Sequence, residues 1–199
     1  MKSTQPYDAS TEFLRIPEVR LLLTELITPS IAPPTLLRLF AGLRAGEADH
    51  WVGEPIGGRL FDRRLLLCPK LKGMRRYRSV PVCPALAAWL EPYRTLAGIT
   101  VRTRNADRFL RRQAAARRLK LAHNVFRQTY ALYRLALTRD MALVGQEIGM
   151  HPKLVRQPLW LPVSHAEAEE FFKLTPQDCG RPQWPDEVDA WAAATTHGA

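Results

Sequence analysis

The chain is poor in cysteine, with only Cys68, Cys83 and Cys179 among its 199 residues. No two of them form a CxxC pair, which disfavours a zinc ribbon or a thioredoxin-type site and fits a reducing compartment. A chain of this length buries roughly 70% of its unfolded surface, so it needs no disulfide or metal to fold. We expect neither a metal nor a cofactor.

Long hydrophobic runs are also missing. The longest are as short as Leu21–Leu23 and Leu65–Leu67, whereas a helix that spans a bilayer needs about 20 apolar residues. The first residues, Met1–Phe13, are polar and contain no apolar segment of the kind found in signal peptides. The sequence therefore predicts a cytoplasmic protein with no membrane partner.

Acidic residues are scarce in the middle of the chain. The whole sequence has 29 Lys and Arg against 19 Asp and Glu, a net charge of +10, and 46% hydrophobic residues. Eight basic residues and one acid lie between Arg59 and Arg78, and nine and one between Arg102 and Arg127, while residues 164–199 carry seven acids. Basic clusters interleaved with Tyr77 and Phe109 are typical of nucleic-acid contact. The alternative is a solvated, arginine-rich surface on an ordinary folded domain.

The hydrophobic periodicity predicts a mainly α fold with a small antiparallel β-sheet, in the α+β class. We expect a leader over residues 1–11, one domain over 12–175, and an acidic, Pro/Ala-rich tail over 176–199 that frays unless Trp184 and Trp191 dock. The predicted helices cover Glu12–Ile27, a segment from Thr35 after a break at Pro33–Pro34, a segment from Pro84, Asp107–Lys120, a segment from Val125, Asp140–Ile148 and His165–Leu174. The predicted strands cover Arg59–Leu67 and Arg78–Val82.

Three segments in order resemble the catalytic domain of the tyrosine recombinases, the phage-integrase family. Leu36–Glu47 is similar to that family's apolar helix ending in T-G-x-R-x-x-E, with Arg44 at the active-site arginine and Glu47 at the supporting acid. Lys70–Val82 is similar to the hairpin that carries the active-site lysine, with Lys72 the better match and Lys70 the second.

The third segment, Asn124–Ala131, resembles the H-x-x-R-H-T-F-A box of the same family. Arg127 falls on the second active-site arginine, Asn124 on the first histidine and Gln128 on the second. Downstream the family has a nucleophilic tyrosine, and an ungapped count from Gly149 puts Leu159 there. A leucine cannot attack phosphorus.

The resemblance implies a recombinase-like fold in which Arg44 and Arg127 converge on a phosphate and Lys72 can protonate the leaving oxygen. It implies double-stranded DNA as partner and other recombinase subunits as a further candidate. The residues that we expect to contact DNA are Lys70, Arg75, Arg76, Arg111, Arg112, Arg117 and Arg118.

The leading hypothesis is a DNA-binding protein of this type that lacks strand-cleavage activity because of Leu159. One alternative is an active breaking and rejoining enzyme that uses a tyrosine elsewhere, although the spacing of Tyr130 and Tyr133 favours burial of both. A second alternative is a basic RNA- or protein-binding domain unrelated to recombinases.

Overall fold

The structure is a computed structural model that describes residues 13–49, 65–68, 78–94, 96, 101–149 and 162–196. These residues are mostly helical, so the prediction of a mainly α fold is confirmed. None of the described helices combines the length and apolar character needed to cross a bilayer. In chain order the helices are α1 (Ile16–Leu21), α2 (Ala32–Ala41), α3 (Ala45–Asp49), α4 (Pro84–Leu90), α5 (Thr103–Ala116), α6 (Val125–Thr138), α7 (Met141–Ile148), α8 (His165–Lys173) and α9 (Trp184–Thr196).

The first two helices differ from the predicted ones at their ends. Helix α1 is continued by a π-helical turn over Leu22–Leu26. Helix α2 starts at Ala32 and not at Thr35, so Pro33 and Pro34 lie inside its first turn. The prediction that these prolines break the chain was wrong because the first turn of a helix has no intrahelical partners for its amides, and proline is tolerated there.

Two short strands, β1 (Leu65–Cys68) and β2 (Arg78–Pro81), pair antiparallel with Leu65 opposite Pro81 and Cys68 opposite Arg78. In β2, Val80 is buried and Ser79 is exposed, as expected for a strand with one face on the core. The strand ends at Pro81, one residue before the predicted end. The remainder of the predicted first strand and the basic hairpin between the strands lie outside the described residues.

The core is one contiguous cluster that extends from Phe13 to Val188. Helix α6 packs against both α2 and α8 in this core. The Tyr133 ring stacks on Phe171 with 4.3 Å between centroids, and Phe171 also contacts Phe40 at 5.0 Å. The predicted apolar stripe of α6 therefore faces the core, and Tyr130 and Tyr133 are buried as expected.

Helix α5 is shifted toward the N-terminus relative to the predicted Asp107–Lys120. It begins at Thr103 because Asp49 accepts hydrogen bonds from the Thr103 amide at 2.7 Å and from its hydroxyl at 2.9 Å. It ends at Ala116, and Arg118 then adopts a left-handed conformation with φ of 56°. Asp49 thereby joins the start of α5 to α3.

The C-terminal segment does not fray, because it forms α9 and docks on the core. Trp184 is fully buried, and its indole N–H donates to the carbonyl of Trp89 at 2.9 Å. The Arg181 guanidinium lies 4.5 Å from the centroid of the Trp184 ring and donates to the carbonyls of Leu23 and Ile27. Arg181, just before α9, thus holds the end of the first helical segment.

Candidate nucleic-acid interface

A glycine turn sets the position of Arg44. Helix α2 ends at Gly42, whose φ of 62° lies in the left-handed region that favours glycine. A Cβ atom at this position would lie 2.5 Å from Cδ1 of Tyr130, so the turn packs directly on α6. Arg44 follows two residues later, immediately before α3.

Glu47 orients Arg44 from within α3. Its carboxylate is fully buried and accepts from the Arg44 amide at 2.7 Å and from Nη1 of the same residue at 3.4 Å. The Arg44 side chain keeps 36% of its surface exposed, and its Nη2 donates to the carbonyl of Gly149 at 2.6 Å. Arg44 and Glu47 form an i, i+3 ion pair whose acid lies in the interior and not on the surface.

Arg78, at the start of β2, is a site residue that the sequence reasoning did not single out. Its Nε donates to Glu47 at 3.2 Å, its Nη2 donates to the second Glu47 oxygen, and its Nη1 donates to the carbonyl of Glu147. The side chain is 7% exposed. Nothing in the sequence distinguishes Arg78 from the other arginines of the predicted hairpin except its place at the first residue of a strand.

Arg127, in the first turn of α6, also donates to a backbone carbonyl next to those bound by Arg44 and Arg78. Its Nη1 donates to the carbonyl of Gly42 at 2.8 Å, and its Nη2 donates to the carbonyl of Ile148. The structure therefore brings Arg44 and Arg127, which are far apart in sequence, onto neighbouring carbonyls. We call Arg44, Arg78 and Arg127 the arginine cluster.

The arginine cluster caps the C-terminus of α7. The carbonyls of Glu147, Ile148 and Gly149 are successive, and each accepts from a different arginine: Arg78, Arg127 and Arg44 respectively. Carbonyls at a helix C-terminus carry partial negative charge and favour cations nearby. The buried carboxylate of Glu47 adds a full negative charge to the same place. Backbone dipoles and one buried acid therefore hold three guanidiniums together.

Gly149 allows the guanidiniums to approach this closely. Its φ is 62°, and a Cβ atom there would lie 3.0 Å from both Cδ and Nε of Arg78 and 3.2 Å from Nη1 of Arg44. Gly149 follows the predicted helix end at Ile148, and the structure confirms this end. Its second role, making room for two arginines, could not be read from the helix pattern.

A separate buried network holds Glu147 on the inner side of α7. Arg134 donates to its carboxylate from Nε at 2.9 Å and from Nη2 at 2.7 Å. The Tyr130 hydroxyl donates to the same carboxylate at 2.8 Å. Burial, and then the negative charge and hydrogen bond of Glu147, raise the pKa of Tyr130 well above its usual value. This phenol is committed to a structural hydrogen bond.

The other described tyrosines are similarly enclosed. Tyr93 donates to the carbonyl of Pro29 at 2.8 Å, and Tyr133 is stacked on Phe171. Burial raises the pKa of both phenols above the ordinary range. Within the described residues, no tyrosine hydroxyl makes a hydrogen bond with the arginine cluster. Tyr7 and Tyr77 lie outside these residues.

The remaining predicted positions fall into three groups. Asn124 precedes α6 in a left-handed conformation, is exposed and makes no capping hydrogen bond. Gln128 has a buried Oε1 atom without a hydrogen-bond partner. Lys70, Lys72, Arg75, Arg76 and Leu159 lie outside the described residues.

The predicted arginines of α5 and the turn after it are all exposed: Arg111, Arg112, Arg117 and Arg118. Arg117 forms a surface ion pair with Glu25 at 2.9 Å, and both side chains are nearly half exposed. Such a pair contributes at most about 1 kcal/mol and is screened by salt. These side chains therefore form a solvent-facing basic surface.

Metal-ligating side chains do not cluster in the described part of the chain. Comparison with protein-family models, with curated proteins and with solved structures finds no match to this chain.

Proposed function

We propose that the protein binds double-stranded DNA as a tyrosine-recombinase-type catalytic domain that does not cleave its substrate. The phosphate-binding groups are Arg44 and Arg127, with Lys72 of the predicted basic hairpin as a further contact. Leu159 stands where this reaction needs a nucleophilic tyrosine. Other recombinase subunits are a second proposed partner. We place this function in the cytoplasm, where thiols such as Cys83 and Cys179 stay reduced.

One observation carries the proposal: Arg44 and Arg127 donate to the successive carbonyls of Gly149 and Ile148. The two arginines come from different helices and are 83 positions apart in sequence, as their numbers give. A surface ion pair or an isolated solvated arginine would not require them to donate to adjacent carbonyls. Two guanidiniums at one place suit a phosphate group because each planar fork matches two of its oxygens and stays charged at all relevant pH values.

The buried acid of the cluster supports this role. Glu47 receives hydrogen bonds from Arg44 and Arg78, which fixes the direction of the Arg44 side chain before any ligand arrives. A preorganised cation loses less conformational entropy on binding than a free one. Since 36% of the Arg44 side chain remains exposed, an incoming phosphate has access to it.

The absence of cleavage is proposed on chemical grounds. Strand breakage by this route forms a bond between a phenol oxygen and phosphorus while the 5′-oxygen leaves. Tyr130 directs its hydroxyl to Glu147, and burial raises the pKa of both Tyr130 and Tyr133. Neither phenol is placed or ionised for attack at the cluster.

Duplex binding tests the phosphate role. We expect Arg44→Gln and Arg127→Gln each to weaken binding to a labelled duplex about tenfold, equivalent to about 1.4 kcal/mol. Each should also reduce the slope of log affinity against log salt by about one unit. The measurement is fluorescence anisotropy over a salt series, with far-UV circular dichroism to check folding.

The matched control is Lys173→Gln, which removes the same unit charge from an exposed side chain on α8. It should leave both affinity and salt slope nearly unchanged. Unchanged duplex affinity in both cluster variants would instead favour the unrelated RNA- or protein-binding alternative.

A nicked suicide substrate tests the absence of cleavage. We expect no covalent protein–DNA adduct after denaturation. An adduct that survives denaturant, and that disappears when one tyrosine is changed to phenylalanine, would identify an active enzyme and its nucleophile.

A further inference from the structure

The outer face of α5 carries positive charge that no acid on the same helix offsets. Asp107 is the acid of this helix, and its carboxylate is bound by Nη1 of Arg38 at 2.5 Å. Arg38 is itself 7% exposed and lies 5.2 Å from the centroid of the Phe126 ring. The negative charge of α5 is therefore neutralised on the inner side, toward α2 and α6.

The exposed arginines of α5 form a stripe. Arg104, Arg108 and Arg112 follow one another at i, i+4 spacing and are all exposed. Residues at this spacing lie on one side of a helix, about 6 Å apart along its axis. Arg111 lies next to the same stripe. The opposite side of α5 is buried through Ala106, Leu110 and Ala114, so the direction of the stripe is fixed.

An aromatic side chain stands beside this stripe. Phe109 is 37% exposed, and among the described residues it is the large hydrophobic side chain that is exposed to solvent. It follows Arg108 and lies one turn before Arg112 on the helix surface. The residues one and two turns further along its own side of the helix, Gln113 and Ala116, carry no charge. The ring thus has cations on one side and uncharged side chains on another, and its exposed fraction gives a planar group access to it.

We propose that the Phe109 face of α5 binds single-stranded DNA, with Phe109 stacking on an unpaired base while Arg108 and Arg112 contact the adjoining phosphates. The proposal rests on the proposed function only in taking DNA as the partner. A base stacked on a side chain must be free of its neighbours in the helix, and a duplex offers only its backbone and groove edges to such a surface. Charge alone would hold a duplex as well, so the exposed ring is what favours an unpaired strand.

Binding of labelled oligo(dT), compared with a duplex of the same length, tests this proposal. We expect Phe109→Ala to weaken oligo(dT) binding about 5- to 150-fold, the range for loss of one base–aromatic stack. It should leave duplex affinity and both salt slopes unchanged. Phe109→Tyr should retain oligo(dT) binding because its ring still stacks, and Phe109→Leu should not.

The arginine stripe gives a second, independent measurement. Arg108→Gln and Arg112→Gln should each reduce the salt slope for oligo(dT) by about 0.7 units, the value for a single strand. Arg44→Gln should weaken duplex binding. In that background, Phe109→Ala should still weaken oligo(dT) binding by the same factor as in the parent protein. Failure of the phosphate site is therefore distinguishable from failure of the single-strand face.

Three results would overturn the proposal. One is that Phe109→Ala keeps both the oligo(dT) affinity and the melting temperature of the parent protein. Another is an equal loss of duplex and single-strand binding in Phe109→Ala, which would indicate insertion of the ring into a duplex groove. The third is full oligo(dT) binding by Phe109→Leu, which would show that apolar area and not stacking is needed.

Discussion

Removal of the Trp184 indole measures how much the docking of α9 contributes to the stability of the domain. Trp184 is fully buried, contacts Trp89 edge-to-face with 5.1 Å between centroids, and donates to the Trp89 carbonyl. Truncation of a buried tryptophan to alanine costs about 3–5 kcal/mol, because it removes apolar contacts and leaves a cavity. For a protein of this size that loss corresponds to a melting temperature lower by roughly 6–20 °C.

The assay is thermal unfolding of Trp184→Ala followed by far-UV circular dichroism. Trp191→Ala is the matched control, because Trp191 is only half-buried and its ring centroid lies 6.2 Å from that of Tyr93. We expect the control to lose roughly half as much, about 1.5–2.5 kcal/mol, because only part of its apolar surface is buried. A melting temperature within about 2 °C of the parent for Trp184→Ala, less than 1 kcal/mol, would refute the integral role of α9.

Two further predictions concern the interior. Gly42→Ala should lower the free energy of unfolding in urea by about 2–5 kcal/mol, because the added Cβ is strained in the left-handed conformation and overlaps Tyr130. Gly180→Ala should lower it by only about 1–2 kcal/mol, because Gly180 has a φ of 69° but an added Cβ would meet nothing within 4 Å. Equal losses would contradict the packing at Gly42. Folding raises the pKa values of Tyr93, Tyr130 and Tyr133. The stability that these phenols contribute is therefore fully present below a pH of about 10, and it falls as the pH rises above that value. Their phenolate absorbance should therefore appear together with loss of helical dichroism, and ionisation of all three in a protein that stays helical would contradict this.

The sequence predicts which segments are helical better than it predicts where each helix begins and ends. The apolar stripe of α6 and the Asp140–Gly149 boundaries of α7 follow from local rules, namely periodicity, an acidic N-cap and a C-terminal glycine. The start of α5 depends on Asp49, a residue distant in sequence, so no local pattern could give it. The start of α2 was missed because a proline pair is as compatible with a first turn as with a break.

The candidate site was predictable in part. The resemblance drew attention to Arg44 and Arg127, and these two donate to the adjacent carbonyls of Gly149 and Ile148, while their phosphate role stays a prediction. Arg78 was missed because its role depends on the pairing of β2 and on the buried oxygens of Glu47, neither of which a motif records. The docking of Trp184 was left open by composition, since a Pro/Ala-rich segment with isolated tryptophans is equally typical of a tail and of an amphipathic helix.

The capping of α7 by three arginines has a consequence for the order in which the protein is completed during synthesis. The donors at positions 44, 78 and 127 emerge from the ribosome before their acceptors, the carbonyls of residues 147–149. All three donors are long-range in sequence with respect to at least one partner, so the cluster closes only when distant segments have come together. A nascent chain that stops before residue 149 would carry positive charge at this place without the carbonyls that hold it. The cluster can therefore form only after residue 149 has been added, and it depends on long-range contacts among residues 42–149 that precede the synthesis of α8 and α9.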